Sequence, residues 1–448
     1  MMTTTGDVSR GANVVTMGLL TLPVIGLLLT PIYPLGMVGK EPPWFLHAVS
    51  PVAILIGVAI VWRWPGRGWQ WSLILGVLST LVGTIALAMN EPPGLVIEPA
   101  VAIASTLGGW LLLIGAFGAA SWLARSGARG LGAAVGGAAV ACLTVGWTWR
   151  LLEFGKPSDT TLLFIAVSVA LIASAALLGF GQAGSDADRP NPRLLLIGGA
   201  VAAAEVAFAL VSRRFNPADY ETYSATAAAV IAVLLLLSLL VGIRFLVTVV
   251  VIGALVAGTS RLRGALEAMA SDQLFAAMAG GTDERPPAIG AEAWLLIAAG
   301  LVLGLAVSLP RFRALLAAIG ASAAGVAIYL ADDGDPTNQL LPTAAIAAAV
   351  FALVAGVGAA VSRASAAMVA AGLAGMMVGG SVDAATWFWQ PGVFYSSTPL
   401  SAPTLWGPIV LLGVAALGLV GLHLYRDDAP AVGGDDLDRA DLVGVDER

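Results

Sequence analysis

From about Asn13 to Tyr425 the chain is a succession of apolar stretches, most of them near twenty residues long, separated by short polar connections. A helix needs about 20 apolar residues to cross the ~30 Å hydrocarbon core of a bilayer. No irregular backbone survives there in contact with lipid. Repeated apolar runs of this length therefore leave one expected fold class: an all-α, polytopic membrane helix bundle. Composition agrees. Hydrophobic residues make up 58% of the 448 and charged residues only 11%, against about 25% charged in a soluble protein. A disordered chain, a nucleic-acid binder and a disulfide scaffold are excluded as classes, and with them almost any soluble enzyme. The bilayer is the expected surrounding, in the cell membrane, with membrane-protein partners or a second copy of the chain as possible neighbours.

The runs place fourteen spans near 14–38, 45–62, 70–89, 99–124, 130–152, 160–181, 194–212, 224–241, 244–260, 292–309, 314–331, 340–361, 364–381 and 407–425. The first is too long for a signal-peptide core of 7–15 residues and is taken as a retained helix. The unbroken run 224–260 would measure about 55 Å as one helix, so a turn at Gly242-Ile243-Arg244 is expected to split it. With both termini inside, the cytoplasmic connections carry Arg63, Arg67, Arg125, Arg129, Arg189, Arg193, Arg244, Arg311, Arg313 and Arg363. That is the bias expected of cytoplasmic loops. Arg213, Arg214, Arg261 and Arg263 fall on the other side and oppose it.

Residues 1–13 are expected to form a cytoplasmic tail, 14–425 the transmembrane domain, and 426–448 an acidic disordered cytoplasmic tail. Two outer segments, 261–291 and 383–406, have interfacial character. The first begins as an amphipathic stretch; the second, DAATWFWQPGVFYSSTPLSAPTLW, suits a re-entrant hairpin. Glu-Pro-Pro occurs at 41–43 and 91–93, more simply two proline-capped loops than a duplication. No convincing inverted repeat is visible.

Glu205 is the foremost candidate site residue, because it is the acidic residue well inside a span. An ionised carboxylate near the bilayer middle costs about 2.5–3.5 kcal/mol on insertion scales. It suits a proton or cation relay, or a hydrogen bond to a neighbouring helix. Arg150, at the outer end of the fifth helix, is a potential partner for Glu205 or a snorkelling cation. Glu98 opens the fourth helix, where the positive end of the dipole favours a carboxylate. Asp383 lies beside Trp387, Trp389 and Tyr395, an arrangement that could hold a sugar or a cationic headgroup. His47 and His423 fall on opposite sides with no metal-ligand spacing. Cys142 is the single cysteine, so no internal disulfide forms. No Walker motif or nucleophile elbow occurs. Neither a metal nor a cofactor is expected, and no catalytic set emerges.

GxxxG at Gly132–Gly136, Gly300–Gly304 and Gly375–Gly379 points to close packing within one bundle before dimerisation. Pro23, Pro31 and Pro34 interrupt the first helix, either bending it around its neighbours or exposing backbone carbonyls as in the broken helices of some carriers. Three classes remain. The first is a secondary transporter or a flippase for a lipid or small molecule, with Glu205 as its buried ionisable group. The second is a non-catalytic scaffold subunit of a cell-envelope or secretion assembly. The third is a lipid-dependent glycosyltransferase using Glu41 or Asp383, ranked last because the first outer loop is short.

Overall fold

The computed structural model describes residues 5–29, 48–64, 66–88, 97–145, 160–180, 192–213, 220–279, 291–307, 312–332, 340–361, 368–387 and 402–424. Among them lie fourteen α-helices: α1 (Thr5–Ile25, followed by a 3-10 turn at Gly26–Leu29), α2 (Val49–Arg63), α3 (Gly68–Ala88), α4 (Ile97–Arg125), α5 (Arg129–Val145), α6 (Thr160–Gly179) and α7 (Pro192–Arg213); then α8 (Tyr220–Val241), α9 (Ile243–Ala279), α10 (Ala291–Ala306), α11 (Arg313–Asp332), α12 (Leu340–Val361), α13 (Met368–Trp387) and α14 (Ala402–Leu424). Nine of them are long and apolar enough to cross a membrane. Each expected run contains one of these helices. The protein is a helical bundle with the character of a multi-pass membrane protein.

The apolar run 224–260 breaks where expected. Gly242 has φ +145°, a conformation that side-chain-bearing residues rarely adopt. Its N–H still bonds the Ser238 carbonyl (3.1 Å), and its own carbonyl accepts from Leu246 N–H (3.0 Å). The backbone of Gly242 is thus bonded on both sides of the turn. Beyond it α9 runs unbroken for 37 residues, so the helical stretch past residue 261 is a direct extension of α9. The helix α1 begins at Thr5, inside the expected N-terminal tail.

Helix directions follow from specific contacts. Ala104, Leu112 and Trp69 pack on Gly83, Gly76 and Gly118, so α3 and α4 are antiparallel. Ile252 meets Gly375 and Val256 meets Gly379, so α9 and α13 run parallel. Continued through the bundle, this places Arg63, Arg67, Arg125, Arg129, Arg193, Arg244 and Arg313 at one end of their helices, hereafter the arginine face.

The packing repeats. Helices α1–α6 and α9–α14 form two halves in which each helix corresponds to the one eight places later. The pairs α3–α4, α2–α4, α3–α6, α1–α4, α1–α5 and α1–α6 recur as α11–α12, α10–α12, α11–α14, α9–α12, α9–α13 and α9–α14. The contact between halves is itself reciprocal: α4 meets α13, and α12 meets α5. The likeness is incomplete, since α4 and α5 pack along one another while α12 and α13 barely touch. The remaining described pair, α7 and α8, has no counterpart in this pattern. It packs on α13, and α7 also on α2.

The described side-chain contacts between α4–α5 and α12–α13 all cluster towards the arginine face. A Cβ on Gly358 would come 2.7 Å from the Ala133 carbonyl oxygen, and one on Gly372 would come 2.6 Å from the Phe117 ring. At Gly137 it would collide with the Val354 carbonyl. Small residues let these backbones meet directly. All three GxxxG pairs are occupied within the chain: Gly132 against α4, Gly136 against Met368 of α13 and Val361 of α12, Gly300 and Gly304 against α12, Gly375 and Gly379 against α9.

Candidate functional site

Glu205 sits where α7 crosses α2 in the antiparallel sense. The crossing is close because Gly198 lies on it: a Cβ there would come 2.7 Å from Val58 Cγ2. Two turns further along α7, Glu205 reaches the first turn of α2, where the Ser50 hydroxyl hydrogen-bonds its carboxylate. Ser50 is buried and is the second residue of α2, so the carboxylate also faces the positive end of that helix. From the third side comes α8. Its Tyr223 lies within electrostatic reach of Glu205 and stacks on Phe208 with ring centroids 5.3 Å apart, tilted by 46°. Phe208 follows Glu205 by three residues and shares its helix face.

The result is a half-buried carboxylate held by a hydroxyl and flanked by a phenol, at the meeting of α2, α7 and α8. It is the one carboxylate among the described side chains. Such a group can accept and release a proton or hold a cation, with Ser50 and Tyr223 as the accompanying polar atoms. Ser50→Ala removes the donor and leaves the carboxylate short of a partner. A hydrogen bond to a charged group is worth about 1.5–3 kcal/mol, so thermal unfolding in mild detergent should fall by an amount at the lower end of that range.

The other sequence candidates are not brought to this site within the described residues. Glu98 is the second residue of α4, at the positive end of the helix, but its side chain lies outside the described set. Asp383 belongs to the last turns of α13, with its side chain likewise outside. Arg150, and with it the proposed pair to Glu205, lies outside the described residues. So do His47, Glu41 and residues 388–401 of the hairpin expected at 383–406, whose flanks 383–387 and 402–406 are instead helical, the end of α13 and the start of α14.

Arg313 is the residue that sequence reasoning passed over. Expected in a cytoplasmic connection, it is 3% exposed. Its Nε donates to the Val307 carbonyl at 2.8 Å, and its Nη2 donates to the same carbonyl and to Gly130 O at 3.4 Å. One guanidinium thus closes the C-terminal end of α10 and reaches into the first half at the start of α5. Its neighbours Arg311 and Phe312 gave no sign of this, because burial depends on the meeting of the two halves. Elsewhere, polar side chains stitch helices together: Gln70 donates to Leu177 O (3.0 Å) and Ser72 to Leu111 O (2.7 Å). Among the described residues no cluster of three or more His, Cys, Asp or Glu side chains is positioned for a metal ion.

No family model matches the chain, and no curated protein matches it.

Proposed function

We propose that this chain is a secondary transporter, or a flippase of related design, that moves a small molecule or lipid by relative motion of its two halves. The observation that carries this is the recurrence of one six-helix packing pattern in α1–α6 and α9–α14, joined reciprocally through α4–α13 and α5–α12. Repeats of like orientation are a recurring basis of secondary transport, with alternating access arising from rocking of one repeat against the other. The arginine face is assigned to the cytoplasm on the Lys/Arg bias. Glu205 is assigned as the group that takes up a proton or cation. Its Ser50 and Tyr223 neighbours belong to different helices, so a change in its charge alters how α7 is held on α2 and α8.

The dense glycine seam favours the competing reading, a rigid scaffold. The two are separated without knowledge of the substrate. Spin labels at Arg129→Cys in the first half and Phe312→Cys in the second, in a Cys142→Ala background, report separation across the seam. In nanodiscs the transport reading expects two distance populations whose ratio responds to pH, and the response is lost in Glu205→Gln. A single narrow population, unmoved by pH, supports the scaffold and overturns the proposal.

A further inference from the structure

Two aromatic rings stand beside the Glu205 carboxylate, and neither is needed to accept a proton. Phe208 lies three residues along α7 from Glu205, and residues so spaced have Cβ atoms about 5–6 Å apart. Tyr223 of α8 stacks on Phe208 with centroids 5.3 Å apart and the rings tilted by 46°. A cation is held by a ring when it lies over the face within about 6 Å of the centroid. One positive centre can therefore meet the Phe208 ring and the Glu205 carboxylate together. The neighbours Ser50, Tyr223 and Phe208 are uncharged at neutral pH and supply no full counter-charge to an ionised carboxylate, which is costly at membrane depth. Their oxygens suit a small metal ion poorly. Calcium takes about six to eight oxygen ligands and magnesium an octahedral set, whereas these residues offer one carboxylate and two hydroxyls.

The surroundings are otherwise apolar and open to the side. Ala53 and Ile54, one turn along α2 from Ser50, are fully buried. Glu205, Phe208 and Tyr223 each keep part of their surface exposed. Helices α7 and α8 are among the least buried of those long enough to span, and Val206 and Leu210 of α7 are 43% and 59% exposed. A molecule dissolved in the bilayer reaches this edge of the bundle without passing between the two halves. We propose that Glu205, Phe208 and Tyr223 form a binding site for a monovalent organic cation with apolar substituents, entered from the lipid side of α7 and α8. The carboxylate supplies the opposite charge and the rings supply cation–π attraction. Ser50 holds the carboxylate in place, and the apolar substituents exchange lipid for the surrounding side chains. The inference rests on the transport reading in one respect, that Glu205 takes up a cation, and it names the class of that cation.

Equilibrium binding of radiolabelled tetraphenylphosphonium to the full chain in phosphatidylcholine nanodiscs tests this, with binding to empty nanodiscs subtracted. Saturable binding is expected, and it should persist in sodium chloride at about 150 mM. Glu205→Gln should weaken it about thirtyfold or more, as when one partner of a buried charge pair is removed. Phe208→Leu should weaken it about two- to thirtyfold, the span of one cation–π contact. Phe208→Tyr keeps the ring face and should bind as the parent does. Size-exclusion elution confirms that each variant is folded, and the neutral triphenylphosphine oxide should not compete. Absence of saturable binding overturns the proposal, as does equal binding by the Glu205→Gln and Phe208→Leu variants. Displacement by sodium, or by the neutral compound, overturns it too. The spin-label distances across the seam separate this inference from the reading it rests on. If they respond to pH while tetraphenylphosphonium does not bind, transport stands and the organic-cation site falls. If the cation binds and the distances stay fixed, the site stands and transport falls.

Discussion

Replacing Gly137 with leucine is expected to leave little folded protein after detergent extraction. Even alanine at this position should lower stability by about 3 kcal/mol, the upper end of the usual range for overpacking. A Cβ there would collide with the carbonyl group and Cα of Val354, which are backbone atoms inside α12 and cannot rotate aside. The only relief is to move α5 away from α12, and that opens the contact between the two halves. Gly199→Ala is the matched control. It is also a mid-helix glycine, but nothing lies within 4 Å of its added Cβ. There the gain in helix propensity, about 0.5–1 kcal/mol, should appear undiminished. Thermal unfolding followed by size-exclusion chromatography separates the two. Equal behaviour of the two variants would mean that the seam is looser than described.

Arg313→Leu is the second large effect, expected to cost about 3 kcal/mol or more. The substitution keeps an apolar stem of similar length and removes the donors to Val307 and Gly130. Each hydrogen bond from a charged group contributes about 1.5–3 kcal/mol, and the Val307 carbonyl closes α10, where a cation is further favoured by the helix dipole. Arg313→Lys should recover part of the loss. A lysine ammonium can reach one carbonyl but lacks the planar fork that serves two. If Arg313→Leu melts with the parent protein, the guanidinium is a passenger and the halves are held by apolar packing alone.

Much of the fold was legible beforehand for a simple reason. Lipid-spanning helices advertise themselves through run length, and every expected run holds a helix. The break at Gly242 was legible because a single helix of that length would overshoot the membrane. The glycine pairs were legible as close-packing sites, and each meets another helix of the same chain. The recurrence of packing was not. Its two halves are built from Ala, Leu, Gly and Val, which replace one another freely on apolar faces, so equivalent helices need share no identity. Glu-Pro-Pro drew attention to helices one to four, whereas among the described helices the packing recurs from α1–α6 to α9–α14. Arg313 was hidden for a related reason: a short loop arginine and a buried one read alike until the partner helix is in place. Glu205 was singled out because an acidic residue inside a long apolar run needs a partner. Its partner Ser50 was not found, since a serine at the start of a helix carries no signal of which neighbour it addresses.

The α7–α8 pair has a consequence for how such a molecule tolerates change. Among the described helices two, α7 and α8, stand between the six-helix groups, so an even number of steps separates each helix from its counterpart and the two can share a direction. One helix alone would have inverted everything downstream and set the mates of α4 and α5 facing the wrong way. By this arithmetic a helix added at this junction keeps the direction of the second group only when it comes as one of a pair, and Gly242, at the turn from α8 into α9, is the joint that sets how α9 enters.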